Sequence, residues 1–301
     1  MKCIVTGGLG FIGSHIVDLL IEKGCKVYVI DNLSTGSIFN LNNRAEYEIN
    51  DILNVEFLIE YFHKIKPDWI FHTAALPRIQ PSFDEPISHD EVNVRGTINV
   101  LNACKNTPFK ALVFSSSSAV YGTPIKVPTD ETEQINPLSP YALQKYTAER
   151  YLHIIGERNN MPIVSLRYFN PYGPRSFNKK NPYNAYTSVV GIFNNQKNHG
   201  EPLTITGDGL QKRDFIHVKD VAHANLVVAE KICVSKNNVY NVGLGDCISI
   251  LDLAKYFNYN YIFVSERKGE ARITHANINK LRSLGWEPAY NLLESIKNND
   301  I

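Results

Sequence analysis

The chain has 301 residues, 44% hydrophobic and 20% charged, an ordinary globular composition with enough apolar side chain for a substantial core. With 31 Lys and Arg against 30 Asp and Glu the formal charge is +1, and no basic run interleaved with aromatics stands out, which argues against nucleic acid as a partner. The five cysteines (Cys3, Cys25, Cys104, Cys233, Cys247) are odd in number, widely spaced and form no CxxC pair, so free thiols in a reducing compartment are expected, with neither a disulfide frame nor a metal site.

A strand-like run starts at Lys2, leaving no room for a signal peptide, and no apolar stretch approaches the ~20 residues that span a membrane. The cytoplasm is the expected address, with no membrane partner. In chain order the pattern predicts a strand over Lys2–Thr6, a helix from Gly10 to Lys23, a strand over Lys26–Ile30, a helix near Asn54 to Ile65 and a strand over Trp69–Thr73. A helix from about Glu91 to Lys105, a strand over Ala111–Ser115, a helix from Tyr141 to about Glu157 behind Pro137 and Pro140, and a strand over Ile163–Tyr168 follow. Alternation at this spacing is the mark of right-handed βαβ units, so the predicted class is α/β: a Rossmann-type doubly wound parallel sheet. After Asn170 the sequence becomes rich in Asn, Pro and Tyr. The expected division is therefore a dinucleotide-binding domain over 1–170, with a returning segment near 214–243, and a smaller mixed α/β substrate-binding lobe over 171–301.

The first strand runs into Gly7-Gly8-Leu9-Gly10-Phe11-Ile12-Gly13 at the mouth of the first helix. Gly7 suits a tight turn, Gly10 admits backbone to a pyrophosphate, and Gly13 allows close helix–strand packing. Backbone amides and the positive helix end then hold phosphates without a lysine. Asp31 closes the second strand about 20 residues on, where a carboxylate accepts from a ribose 2′-hydroxyl and repels a 2′-phosphate, so the expected cofactor is NAD.

Ser115-Ser116-Ser117-Ser118 closes a parallel strand, and Tyr141 and Lys145 stand at i and i+4 on one helix face. A tyrosine acts as a base at neutral pH only when a cation favours its phenolate, and Lys145 is the expected cation. A serine hydroxyl could hydrogen-bond the reacting oxygen.

Beyond these features, TGGLGFIGSH (6–15), DNLSTG (31–36), FSSSSAVYG (114–122), SPYALQK (139–145), LRYFNPYGPR (166–175) and RDFIHVKDVA (213–222) resemble the NAD-dependent epimerase/dehydratase family of extended short-chain dehydrogenase/reductases, closest to UDP-hexose 4-epimerases. The resemblance implies that Tyr141 is the base, that Lys145 binds the nicotinamide ribose and that Ser117 is the third catalytic group. It implies further NAD contacts at Phe11, Ile12, Asn32, Ser34, Thr35, Gly36, Asp51, Ile52, Thr73, Ala74, Ala75, Asn93, Ser115 and Tyr168. For the UDP-linked sugar it implies Asn170, Arg213, Arg267, Glu270 and Thr274 beside Ser117 and Tyr141. It gives no chemistry to His217 or Asp220, for which a hydrogen-bonded structural role is expected. A homodimer paired through the helices after Glu91 and at Tyr141 is also implied, with Tyr146, Tyr151 and Ile155 as contacts.

Related 4,6-dehydratases carry Asp and Glu where this chain has Ser118 and Ala119, and related decarboxylases carry Glu at the second position, so C4 epimerisation through a transient 4-keto sugar is the favoured reaction. By the same resemblance Thr274 stands at the hexose-pocket position where a bulky tyrosine restricts the family to plain hexoses, and a threonine leaves room for an acetamido group. UDP-GlcNAc and UDP-GalNAc are therefore expected beside UDP-Glc and UDP-Gal. Threonine there also fits UDP-glucuronate, whose carboxylate Arg78 could meet. A family dehydratase or decarboxylase, or a non-catalytic NAD-binding protein, remains the alternative reading.

Overall fold

A computed structural model describes residues 1–176, 188–266 and 269–301. Seven strands form one parallel sheet: β1 (Lys2–Thr6), β2 (Lys26–Asp31), β3 (Glu46–Ile49), β4 (Trp69–His72), β5 (Ala111–Ser117), β6 (Ile163–Tyr168) and β7 (Asn238–Val242). Their spatial order is β3-β2-β1-β4-β5-β6-β7. The order reverses between β1 and β4, and the carboxyl ends of strands flanking such a switch point form the ligand crevice of doubly wound sheets.

Strand side chains alternate between two cores. Cys3, Val5, Val27, Val29, Trp69 and Phe71 face helices α1 (Phe11–Glu22) and α5 (Val218–Glu230). Ile4, Tyr28, Ile30, Ile70, Leu112 and Phe114 face α2 (Val55–Ile65), α3 (Thr97–Cys104) and α4 (Pro140–Arg158). A third core, around Tyr172, Phe193, Leu203, Ile205, Phe215, Leu253 and Phe257, fills the smaller lobe. The chain leaves the sheet after β6 and returns through α5 and β7, which pairs with β6 from Asn238↔Val164 to Val242↔Tyr168. His217 and Asp220 hold this junction: His217 stacks on Tyr290 with ring centroids 4.2 Å apart, and the Asp220 carboxylate accepts from the Ala289 and Tyr290 amides.

Several predicted elements differ in detail. The helix expected from Glu91 to Lys105 opens with a wide π-type turn, Glu91–Gly96, before α3. There the Thr97 hydroxyl donates to the Asn93 carbonyl at 2.7 Å, competing for the helical acceptor. Strand β3 and two short helices, Ile79–Asp84 and Pro86–Asp90, were not predicted. Of the expected dimer contacts, Tyr146 and Ile155 are partly buried against the chain's own cores, and Tyr151 is exposed.

Candidate active site

The glycine turn packs tightly. Gly7 has φ +71°, a left-handed value that disfavours other residues, and a Cβ on Gly13 would stand 2.2 Å from the Gly7 carbonyl oxygen. Helix α1 starts at Gly10 with no side-chain cap, leaving its amide-rich end toward the crevice. Asp31 is buried; burial raises its pKa, while the Leu33 and Leu9 amides, donating at 2.8 and 2.9 Å, oppose the rise. A cleft at the carboxyl ends of β1, β2 and β4 is lined by Gly7, Gly10, Phe11, Ile12, Gly13, Asp31, Asn32, Ser34, Thr35, Ile52, Thr73, Ala74 and Ala75.

Three further residues expected to touch the cofactor are engaged with neighbouring protein groups. Asp51 accepts from the Asn32 amide at 2.7 Å and the Leu53 backbone at 2.8 Å. Gly36 backs onto the Asp31 carboxylate. Asn93 is buried, and its carboxamide clasps the Leu76 backbone (2.8 and 3.1 Å) and donates to Gln144 at 3.1 Å. Their polar groups are used to shape the loops that meet the cleft.

An adjoining cleft of about 680 Å³ shares Ile12, Thr73, Ala75 and Pro77 with the first and runs over Ser115, Ser117, Tyr141, Lys145 and Tyr168 to Asn170, Arg213, Glu270 and Thr274. Ser117 ends β5, where its Oγ accepts from the Ala119 amide at 3.2 Å, and it lines the same cleft as Tyr141. Tyr141 lies in the first turn of α4, which is capped by Ser139. Lys145 follows one turn later and donates from Nζ to the Ser115 carbonyl at 2.7 Å.

The electrostatics of the chain by itself do not lower Tyr141, which leaves that work to Lys145 together with the positive nicotinamide ring of bound NAD. Burial pushes the Tyr141 phenol up to about 12, with the Ser117 side chain opposing, and burial pulls Lys145 down to about 7. Each charged form is disfavoured by desolvation, so the chain by itself keeps Tyr141 a protonated phenol at neutral pH. Tyr168 is likewise raised to about 12 by burial, against hydrogen bonds with Ser115 and Asn225.

At the far end the Arg213 guanidinium pairs with Glu270 at 3.2 Å, and burial lowers its pKa. The Asn170 amide donates to the Asp214 carbonyl (2.8 Å) and to Thr274 Oγ1 (3.0 Å). Arg267 lies outside the described residues. Ser118, Ala119 and Arg78 also line this cleft, so positions 118 and 119 bring no acid to it.

Sequence reasoning missed Ser82 and Asn225. The Ser82 hydroxyl accepts from the Tyr141 amide at 3.0 Å, tying the short helix Ile79–Asp84 to the start of α4. Asn225, buried in the aliphatic helix α5, donates to Tyr168 at 2.9 Å. An asparagine inside an otherwise aliphatic run was the available signal; nothing local marked Ser82.

Comparison with known proteins agrees with this geometry. Residues 3–243 match the model of the NAD dependent epimerase/dehydratase family. A UDP-glucose 4-epimerase of Rhizobium leguminosarum bv. trifolii is 32% identical over 321 residues, covering 98% of this chain and 95% of the relative. The structure of UDP-glucose 4-epimerase from Thermotoga maritima, with UDP-glucose, superposes with a TM-score of 0.91 at 37% identity over 99% of this chain and 96% of that one. The UDP-N-acetylglucosamine 4-epimerase of Methanobrevibacter ruminantium, in complex with UDP-N-acetylmuramic acid, gives 0.90 at 38% identity over 98% and 96%. On motif, fold and cleft together, the chain belongs to the NAD dependent epimerase/dehydratase family.

Proposed function

We propose that this protein is an NAD-dependent isomerase that inverts C4 of a UDP-linked hexose, acting on UDP-Glc/UDP-Gal and on UDP-GlcNAc/UDP-GalNAc. The observation that carries the reading is that Ser117, Tyr141 and Lys145 line one wall of a continuous cleft, with the glycine turn at one end and Asn170, Arg213 and Thr274 at the other. The residues fit the cofactor: Gly13, with no side chain, lets α1 pack against the Gly7 turn, and α1 presents an uncapped amino end to the cleft. When bound, NAD takes and returns hydride, and its positive ring adds the cation that Lys145 alone does not supply.

The chain's own residues do the rest. Tyr141 Oη removes the proton of the sugar 4-hydroxyl and gives it back after the keto sugar has turned, and Ser117 Oγ donates to the reacting oxygen. Lys145 holds the cofactor ribose from its anchor on Ser115, and Arg213 neutralises diphosphate charge. Ser118 and Ala119 offer no group for losing water or carbon dioxide, which favours epimerisation. One observation favours a second reading, UDP-glucuronate 4-epimerisation: Arg78 lines the same cleft and would complement a sugar carboxylate.

We also propose a cytoplasmic homodimer. Leu143, Tyr151 and Ile154 form an exposed apolar stripe along α4, and Ile87 stands exposed on a neighbouring short helix. No helix among the described residues is long and apolar enough to cross a membrane. Incubation with UDP-Glc, UDP-GlcNAc and UDP-GlcA separately, with and without NAD, followed by NMR of the anomeric signals, tests the reading. A C4 epimer supports it and names the sugar; a 4-keto-6-deoxy product, a pentose or no turnover would overturn it.

A further inference from the structure

Asp214 is fully buried and is not among the cleft-lining residues, yet three substrate-side segments converge on it. Its carboxylate accepts from the Leu244 amide at 2.7 Å, the Gly245 amide at 3.1 Å and the Ala276 amide at 2.9 Å. Its backbone carbonyl accepts from the Asn170 side chain at 2.8 Å, and its own amide donates to the Thr274 carbonyl at 2.9 Å. The stretches 212–214 and 272–274 are thereby laced together, with Lys212 donating to the Arg272 carbonyl and Thr274 to the Lys212 carbonyl, each at 3.0 Å. Among the described residues no ion pair joins Asp214 to a cation, so three backbone amides carry its charge. A Cβ on Gly243 would lie 2.9 Å from the Asp214 carboxylate, so the loop that follows β7 is packed directly on it.

We infer that Asp214 is the positioning residue of the substrate half of the cleft, fixing Asn170, Arg213 and Thr274 relative to one another so that they grip the UDP-sugar as one unit. The inference rests on the proposed function and adds to it a residue that never touches substrate. Its physical basis is a mismatch between function and exposure. Asn170, Arg213 and Thr274 come from three separate parts of the chain, and groups so placed grip one ligand together only while their mutual geometry is held. A carboxylate accepting three amides is a rigid hub, because every bond is to backbone and none has rotamer freedom to lose. The cofactor half has its own scaffold in Gly7, Gly13 and Asp31, and among the described residues no hydrogen bond joins Asp214 to it.

The test is Asp214→Asn, nearly isosteric, which turns one acceptor oxygen into an NH₂ that faces amide donors. Calorimetry with UDP alone and with NAD alone, together with steady-state turnover of UDP-glucose, reads the two halves separately. The expected result is UDP binding weakened at least tenfold, KM raised in parallel, kcat within about threefold, and NAD affinity unchanged. Equal loss of NAD and UDP binding would mean a merely structural role and overturn the inference, as would unchanged UDP affinity. If D214N does not fold, hydrogen exchange on the wild-type chain decides: UDP should slow exchange at Leu244 and Gly245, outside the cleft, together with Thr274. Protection confined to cleft-lining segments would overturn the inference. A wild-type chain that binds no UDP would instead sink the proposed function beneath it.

Discussion

Lys145 Nζ donates to the Ser115 carbonyl at 2.7 Å and stands 4.9 Å from the centre of the Phe114 ring, so the ammonium is held between strand β5 and the cofactor cleft with no carboxylate partner among the described residues. Burial lowers its pKa from 10.5 to about 7. The unfolded chain therefore binds the extra proton between pH 7 and 10.5, so this group's contribution to stability rises with pH across that window and is at its worst below about 7. Lys145→Met should stabilise the cofactor-free protein at pH 7 by on the order of 4 kcal/mol before packing losses, with the gain fading toward pH 10.5, while turnover collapses. Thermal melts of both proteins from pH 6 to 10 check this. A variant less stable than wild type throughout would show that the buried ammonium is better solvated than the geometry implies.

Tyr141→Phe removes one buried hydroxyl that lines the cleft beside Ser117. The expected loss in kcat is about 10²–10⁴-fold, the usual size of a general acid–base contribution. Melting temperature and NAD affinity should change little, because the ring and the Ser82 contact to the Tyr141 amide are kept. Retained turnover would remove Tyr141 as the proton carrier.

Legibility in the sequence followed distance along the chain. The glycine turn, Asp31 and the Tyr141–Lys145 pair are local patterns tied to one strand–helix junction or one helix face, and strand alternation revealed both sheet cores. Strand β3 was hidden because its sequence, Glu-Tyr-Glu-Ile, has no apolar run, and it forms by adding to the edge of β2. The short helices at Ile79–Asp84 and Pro86–Asp90 were hidden because Pro77, Pro81 and Pro86 read as loop; one is held by Ser82 reaching an amide 59 residues away. Asn93 and Asp51 were assigned to the cofactor by resemblance; that their side chains also hold the Leu76 and Leu53 backbone comes only from the fold. Lys145 was legible from its place one turn after Tyr141 and from its charge, whereas the burial that lowers its pKa comes only from the fold.

Gly13→Ala sets a Cβ 2.2 Å from a backbone oxygen, which no side-chain rotation relieves. Strand and helix must separate, at a cost of about 3 kcal/mol in stability, the upper range for overpacking. NAD binding should weaken more than tenfold by calorimetry. Wild-type affinity would mean that the turn yields without disturbing the phosphate cradle.

The apolar stripe on α4 predicts that Leu143→Glu with Ile154→Glu yields a monomer. Both side chains are more than half exposed, so the folded monomer should lose little stability. Sedimentation should find a wild-type dimer and a monomeric double variant with unchanged NAD affinity. A wild-type monomer at micromolar concentration would reject the dimer.

Thr274 couples substrate choice to site geometry, because its Oγ1 accepts from the Asn170 amide at 3.0 Å while its side chain lines the cleft. Two variants separate these roles. Thr274→Val keeps the volume and deletes the acceptor, so kcat/KM should fall about fivefold for plain and N-acetylated sugars alike, the size of one lost neutral hydrogen bond. Thr274→Tyr fills the pocket, so kcat/KM for UDP-GlcNAc should fall about a hundredfold more than for UDP-Glc, since steric exclusion acts only on the bulkier sugar. A parallel loss on both sugars in the tyrosine variant would mean that the acetamido group lies elsewhere, and the substrate range would then have to be argued from Arg78 and its neighbours.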